Sequence, residues 1–576
     1  MIWYFLNHPR HRREREALEA LASTVDWVTP LDWHIDNSLR LMWDADISVA
    51  GRTFPISLRY PNHFPHSPPL VLPRGDTRRW SSHQYGRGGE LCLEYGPDNW
   101  HPELTGADMI LSAYRLLQGE RPASGEHVTV ASRHQTTLGQ DLRGKFTRFL
   151  VTRALAETLA GIPTGTMLSA SVIGMLHEES YVNVVSSMIM PGGETWVDAL
   201  PPPLKSGFER EIALLRWPDE ARLPSQESLA AFRAATAQHN MELPSVTYAL
   251  LVWGANIHAF YLSAEDNTVS EVSIIPPQPY TARLDESHSF LAMRKVGIVG
   301  CGSLGSKVAV MLARSGVGTF LLVDDDILLP DNFVRHDLDW RDAGTHKADS
   351  LASRIQLVNP AATCETRRHR LGGQEASGSI ESLIEVLATC DLLVDATAEP
   401  SAFNYLCATV AFAKKPLLWA EVFAGGFGGL IARHRPLFEP DPASMRRAIE
   451  NWCSERGHPI ERAANDYGGG DGSPAIADDA DVTVIAAHAS RMAIDMLIPR
   501  NPSAFPNSVY LIGLAKGWIF ENPFETYPIE VGPPIVSDSP EELSAEETAG
   551  EVARILQLLT DHQNANSSTT PSDETP

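Results

Sequence analysis

Apolar residues recur at helical spacing from His11 to Ser23, with leucines and alanines on one face. Strand-like runs follow at Leu39–Val49 and Thr53–Arg59, separated by a turn at Gly51. Pro61 to Pro73 is proline-rich, which excludes a helix or a central strand because proline lacks the N–H that both need. A Gly/Arg loop at Gly86–Gly89 leads to Leu91-Cys92-Leu93, and helical spacing returns from Ala107 to Leu117. This predicts a small α+β domain over residues 1–155. Residues 156–288 carry strand-like runs at Ser169–Met175, Tyr248–Leu262 and Val269–Ile275 around a charged, helix-like middle. They hold no chemical motif and read as an α+β linker or partner-binding domain. Over residues 289–535 strand, Gly-rich turn and helix alternate, which predicts a mostly parallel sheet with helices on its faces. The acidic tail, 536–576, is expected to be disordered apart from a helix around Glu541–Leu559. The fold class is multidomain, α/β and α+β.

Composition narrows the function. At 576 residues the chain has room for roughly three or four domains. No apolar run reaches the length of about 18 residues that a membrane span needs, and MIWYFLNHPRHRRERE, with no charged n-region ahead of a long apolar stretch, does not read as a signal peptide. A cytoplasmic protein with no membrane partner is expected. A net charge of −25 excludes wrapping a nucleic-acid backbone. None of the six cysteines forms a C-x-x-C pair, so each is either a buried apolar side chain or a nucleophile.

The strand Lys295–Val299 runs into Gly300-Cys301-Gly302-Ser303-Leu304-Gly305 and a helical stretch, Lys307–Ser315. Gly300 permits the tight turn, Gly302 lets phosphates approach the backbone, and Gly305 lets helix and strand pack closely. The next strand, Thr319–Val323, ends in Asp324, placed to meet ribose hydroxyls. Alone, this fits NAD as readily as ATP. The order Val323-Asp324-Asp325-Asp326-Ile327, Asn332-Phe333-Val334-Arg335-His336, Gly344, Lys347, Asn359-Pro360 resembles the ThiF/MoeB/ubiquitin-activating superfamily over roughly residues 290–500. The resemblance implies a Rossmann-like adenylation domain using ATP and Mg2+. It also implies that Asp324 holds the ribose, while Asn332, Arg335 and Lys347 face the triphosphate. That family carries Asp-Ala-Thr-Asp-Asn at the next strand end, where the second acid helps hold magnesium. Here the run is Asp395-Ala396-Thr397-Ala398-Glu399, so Glu399 or Asp395 is the expected oxygen ligand.

Leu417–Val422 and the glycine-bearing run Phe423–Ala432 match the strand that precedes a long crossover loop in that family. Here the loop is expected from about Pro436 to Asp479, and Cys453 is its only cysteine. Members with thioester chemistry carry their nucleophile in this loop, so the resemblance implies that role for Cys453. Arg447 and Arg456 are expected to favour its thiolate.

The N-terminal segment, over about residues 30–120, resembles ubiquitin-conjugating enzymes. The motifs are Tyr60-Pro61-x-x-Phe64-Pro65-x-x-Pro68-Pro69, His83, Gly89-Glu90-Leu91-Cys92-Leu93 and Asn99-Trp100-His101-Pro102. Cys92 is then the conjugating nucleophile. His83-Gln84-Tyr85 stands where that family has His-Pro-Asn, whose Asn is associated with stabilising the oxyanion. Tyr85, or His83 or His101, can donate instead.

Both domains on one chain resemble the bacterial fusion enzymes of anti-phage CBASS operons, which attach the C-terminus of a cGAS-like nucleotidyltransferase (CD-NTase) to a target. The resemblance implies a protein substrate with a flexible C-terminus, a target protein or small-molecule amine, and a homodimer. Two other readings stay open: an enzyme adenylating a sulfur-carrier protein in the ThiF/MoeB manner, and a non-catalytic binding scaffold.

Overall fold

The computed structural model describes residues 2–75, 78, 80, 81, 83–85, 88–120, 137–277, 283–372, 377–460, 476–534 and 544–567. The ends of the expected acidic tail, residues 86 and 87 of the Gly/Arg loop, and residues 461–475 of the expected crossover loop lie outside that set. The chain divides into two compact units, Met1–Lys145 and Phe146–Pro576.

In the first unit two helices, α1 (Trp3–Leu6) and α2 (His8–Thr24), lead into an antiparallel meander. Its strands are β1 (Val28–Ile35), β2 (Leu41–Val49), β3 (Arg52–Arg59) and β4 (Leu70–Pro73), followed by α3 (Gly106–Gly119) and α4 (Leu138–Leu142). Strand β1 escapes the hydropathy pattern because it is an edge strand, mostly exposed, with its register shifted between Pro30 and Trp33. Strand β4, inside the proline-rich passage, is the opposite edge and pairs with β3. Beneath the sheet an ionic knot ties α2 to the rest of the unit. Arg10 meets Glu14 at 2.8 Å, while Tyr60 and the Gly106 amide donate to Glu14 at 2.9 and 2.6 Å. Arg10 also donates to the carbonyls of Pro102 and Leu104, fastening the loop that follows Cys92.

The second unit opens with β5 (Thr147–Leu150), α5 (Arg153–Ala160), β6 (Thr166–His177), β7 (Ser180–Ile189), β8 (Thr195–Val197) and β9 (Phe208–Arg216). It continues with α6 (Leu229–Gln238), β10 (Tyr248–Trp253), β11 (Asn256–Ser263) and β12 (Thr268–Ile275). The run read as one strand, Tyr248–Leu262, is a hairpin folded at Gly254, whose φ is +58°. Strand β5 pairs with both β12 and β7, so the order β5-β12-β11-β10-β9-β6-β7 returns to β5 and the sheet closes into a ring. Alternate positions feed two cores: Ile212 and Leu214 join Leu250 and Val252, while Ala213 and Leu215 join Phe232 of α6.

The remaining sheet runs β15-β14-β13-β16-β17-β18-β19-β20. Its strands are β13 (Lys295–Val299), β14 (Thr319–Val323), β15 (Thr363–Arg367), β16 (Leu392–Asp395), β17 (Leu417–Val422), β18 (Gly428–His434), β19 (Val509–Gly513) and β20 (Thr526–Ile529). The first five in that order are parallel, and the last three extend the sheet antiparallel. Helices α7 (Ser303–Ser315), α8 (Lys347–Val358) and, later, Asp479–Leu497 pack one core; α9 (Ser377–Leu387), α10 (Pro400–Ala413) and α11 (Pro442–Glu455) belong to the other. The helix Asp479–Leu497 is α12, and α13 (Ala545–Ser567) stands in the expected acidic tail. Among the described residues no helix is long and apolar enough to cross a membrane.

Candidate functional site

The connections after β13 and after β16 leave toward opposite faces of the sheet, and a crevice opens where they part. There lies a cavity of about 460 Å3, lined by Gly300, Gly302, Asp324, Asn332, Arg335, Lys347 and Glu399 among others. Sequence reading named all seven, and the fold brings them together.

The glycines differ in what they do. Gly300 has φ +87°, and a β-carbon there would press on the Ala396 carbonyl at 3.0 Å. A β-carbon on Gly305 would lie 1.9 Å from the Gly300 oxygen, so this glycine lets α7 sit on the turn. One on Gly302 would meet nothing within 4 Å; its missing side chain leaves room in the cavity rather than in the packing. No side chain caps α7, whose N-cap is Gly302, so the amides of its first turn are available to an anion.

Asp324 is fixed before any ligand arrives. Its two oxygens accept from the amides of Cys301 at 2.6 Å and Asp326 at 2.9 Å. Burial pushes its carboxyl up, against those two bonds and Lys347. His336 braces the turn from below. The Leu338 amide donates to Nδ1 at 3.1 Å, so Nε2 carries the proton and donates to the Cys301 carbonyl at 2.8 Å. Burial holds this imidazole below its usual range, which keeps it neutral. Lys347 Nζ meets Asp326 at 2.7 Å. An arriving phosphate therefore competes with a carboxylate for this cation.

The expected magnesium ligands are committed to protein partners. Glu399 is clasped by Arg370, with Nη2–Oε1 at 2.6 Å and Nε–Oε2 at 3.5 Å. Asp395 is buried and accepts from both the amide and the hydroxyl of Thr397, at 3.0 and 2.7 Å. Burial pushes it up to about 6. Among the described residues no group of three or more His, Cys, Asp or Glu is placed to hold a metal. A cation reaching Glu399 or Asp395 would have to displace these partners. Ala398 itself has φ +55°, a left-handed position that suits Asp or Asn better than Ala.

Cys453 does not lie in an open loop. Asp441 caps α11 by accepting from the Ser444 amide, Pro442 occupies the first turn, and Cys453 is buried in the core near the helix end. Burial pushes its thiol up to about 11, which reverses the expected thiolate. Arg456, lying over the Trp452 ring at 3.8 Å, favours the thiolate but less than burial opposes it, and Arg447 donates to Ser444.

In the first unit Cys92 donates its amide to the His83 carbonyl at 2.8 Å, and Tyr85 donates its own to Glu90 at 3.0 Å. Gln84 and Leu91 form the bridge between those pairs and are both buried. Strand alternation then sets His83, Tyr85 and Cys92 to the other side of the ladder. Gln84 braces this turn, accepting from the Trp80 amide and donating to the Gly89 carbonyl, both at 2.9 Å. Cys92 is 4% exposed and Tyr85 60%. His101 is exposed and lies within 3.8 Å of Glu103.

Sequence reading missed Asp326, His336 and Arg370 as working parts. Asp326 and Arg370 act through partners 21 and 29 residues away, and His336 reaches across 35 residues.

Residues 284–514 match the model of the ThiF family. Within that class the chain is similar to the ATP-dependent ubiquitin transferase-like protein Cap2 of Pseudomonas aeruginosa, at 36% identity over 121 residues, 20% of each chain. It is 33% identical to protein y4qC of Sinorhizobium fredii over 180 residues, 30% of each chain. The matched stretches thus span less than a third of either relative. The solved structure of Escherichia coli MccB with ATP aligns at 17% identity and a TM-score of 0.34, covering 44% of this chain and 68% of that one.

Proposed function

We propose that this chain activates the C-terminal carboxylate of a protein with ATP and transfers it through a thioester at Cys92 to an amine. The observation that carries the reading is the single cavity holding the glycine turn, Asp324, Asn332, Arg335 and Lys347. The similarity to Cap2 supports the conjugating half.

The triphosphate lies at the uncapped start of α7, with the ribose on Asp324. A substrate carboxylate oxygen attacks the α-phosphorus, the bond from that phosphorus to the bridging oxygen breaks, and pyrophosphate leaves. Two anions meet in this step, and Arg335 and Lys347 offset their repulsion. Magnesium, when bound, shields the phosphate charge, but no step here is assigned to Asp395 or Glu399. The Cys92 sulfur, giving up its proton, then attacks the acyl carbon and releases AMP. A target amine displaces the thiol, with Tyr85 or His83 donating to the oxyanion. The acyl group is assigned directly to Cys92 on its conjugating-enzyme motif; Cys453, whose thiol is pushed up in the core, is given no step. The fusion-enzyme resemblance makes a CD-NTase of an anti-phage system the favoured substrate.

The test is exchange of labelled pyrophosphate into ATP, with magnesium and proteins encoded beside this one as candidate substrates. Arg335→Ala should slow exchange by 100-fold or more, since one lost transition-state donor typically costs about 3 kcal/mol. NAD binding without ATP binding would overturn the reading. A thiocarboxylate formed with a sulfur donor, and no amide, would favour sulfur-carrier activation instead.

A further inference from the structure

We infer that the Arg370–Glu399 pair is a strap over the nucleoside end of the cavity, and that Arg370 positions the nucleoside rather than the phosphates. The inference rests on the ATP reading above. Arg370 follows β15 and Glu399 follows β16, yet the sheet order is β15-β14-β13-β16. The pair therefore joins loops across two intervening strands, a span of roughly 14 Å at about 4.8 Å per strand. Those two strands are the ones whose ends bear the glycine turn and Asp324. Both partners line the cavity, beside Leu371, whose side chain is buried.

Direction follows from the phosphate end. The α7 start, Arg335 and Lys347 supply uncapped amides and two cations to the cavity, and these are taken as its phosphate end. Asp324, at the end of β14, takes the ribose. Continuing past the ribose, away from β13, the next strand end is β15, with His369, Arg370 and Leu371. A base there meets an apolar floor and a guanidinium plane. Arginine stacks on aromatic faces where a lysine cannot, and Glu399, at 2.6 Å, sets the plane by gripping two of its nitrogens. This also explains why Glu399 is not free for a metal.

Direct binding of three probes to the full chain separates the two ends: ATP, AMP and inorganic tripolyphosphate, by calorimetry. In R370A and E399Q the dissociation constants for ATP and AMP should rise about tenfold, with tripolyphosphate unchanged. R370K should lose as much as R370A, because it keeps charge and loses the plane. The exposed Arg370 and the isosteric E399Q leave folding intact. Equal loss of all three probes would make Arg370 a phosphate ligand and overturn the strap, as would no loss at all. Full affinity in R370K would overturn the role of the guanidinium plane. A wild-type chain that binds no ATP defeats the adenylation reading first, and the strap falls with it.

Discussion

The 1.9 Å between a β-carbon at Gly305 and the Gly300 carbonyl oxygen is far inside van der Waals contact, and the opposing atom is backbone. Gly305→Ala must therefore push α7 off its strand. Overpacking of this kind typically costs about 1–3 kcal/mol, so a clear fall in the midpoint of thermal unfolding is expected. Gly302→Ala has open space and should unfold as the wild type does while binding ATP more weakly. Equal thermal behaviour of the two variants would show that the turn yields, against this account. The roles of Gly300 and Gly305 were legible in the sequence, because tight turns restrict residue type locally. The ion pairs Lys347–Asp326 and Arg370–Glu399 were not, because nothing in a one-dimensional spacing says which acid a cation will meet.

At the scale of elements, β13, β14 and β17 matched their hydropathy runs, since buried parallel strands are nearly continuous apolar segments, while β15 and β16 were not singled out. The other misses lie where that rule fails. Strand β1 is exposed, β7 to β9 sit in a charged stretch, and α11 lies in a proline-rich region read as loop. Yet Asp441-Pro442 is a helix start by its own chemistry, a capping side chain followed by a proline in the first turn. Reading it would have put Cys453 on a helix. The consequence is measurable. Burial pushes the Cys453 thiol up and keeps the side chain in the core, so little thiolate is presented to a reagent. Native protein should resist iodoacetamide at Cys453 and react there once denatured. Cys453→Ala should load Cys92 at the wild-type rate. Loss of loading with adenylation intact would restore Cys453 as an obligatory carrier.

For the whole molecule, the decisive variant is Cys92→Ser in the full chain. A serine ester is a poorer acyl donor than a cysteine thioester. With ATP, magnesium and the substrate protein, an adduct should accumulate that survives thiols and yields to strong base, while the wild type delivers an amide to a target amine. Absence of any adduct on the Cys92→Ser variant would remove this position from the pathway. Under the proposed function, both steps on one chain make the hand-off intramolecular, at an effective concentration of about a millimolar if the linker spans the sites.

The closed ring of residues 147–275 imposes an order on synthesis. Its first strand, β5, has no neighbour in the chain already made; Tyr181–Val184 and Ser273–Ile275 both come later. Until Ile275 leaves the ribosome the ring is an open sheet with bare edges, and the pairing of Leu150 with Ile275 must close a loop of more than a hundred residues. Such non-local closures are slow, and unpaired edges are where chains stick to one another. A nascent chain stalled or cleaved short of residue 275 thus carries an unsatisfied sheet, a natural recognition mark for chaperones and proteases.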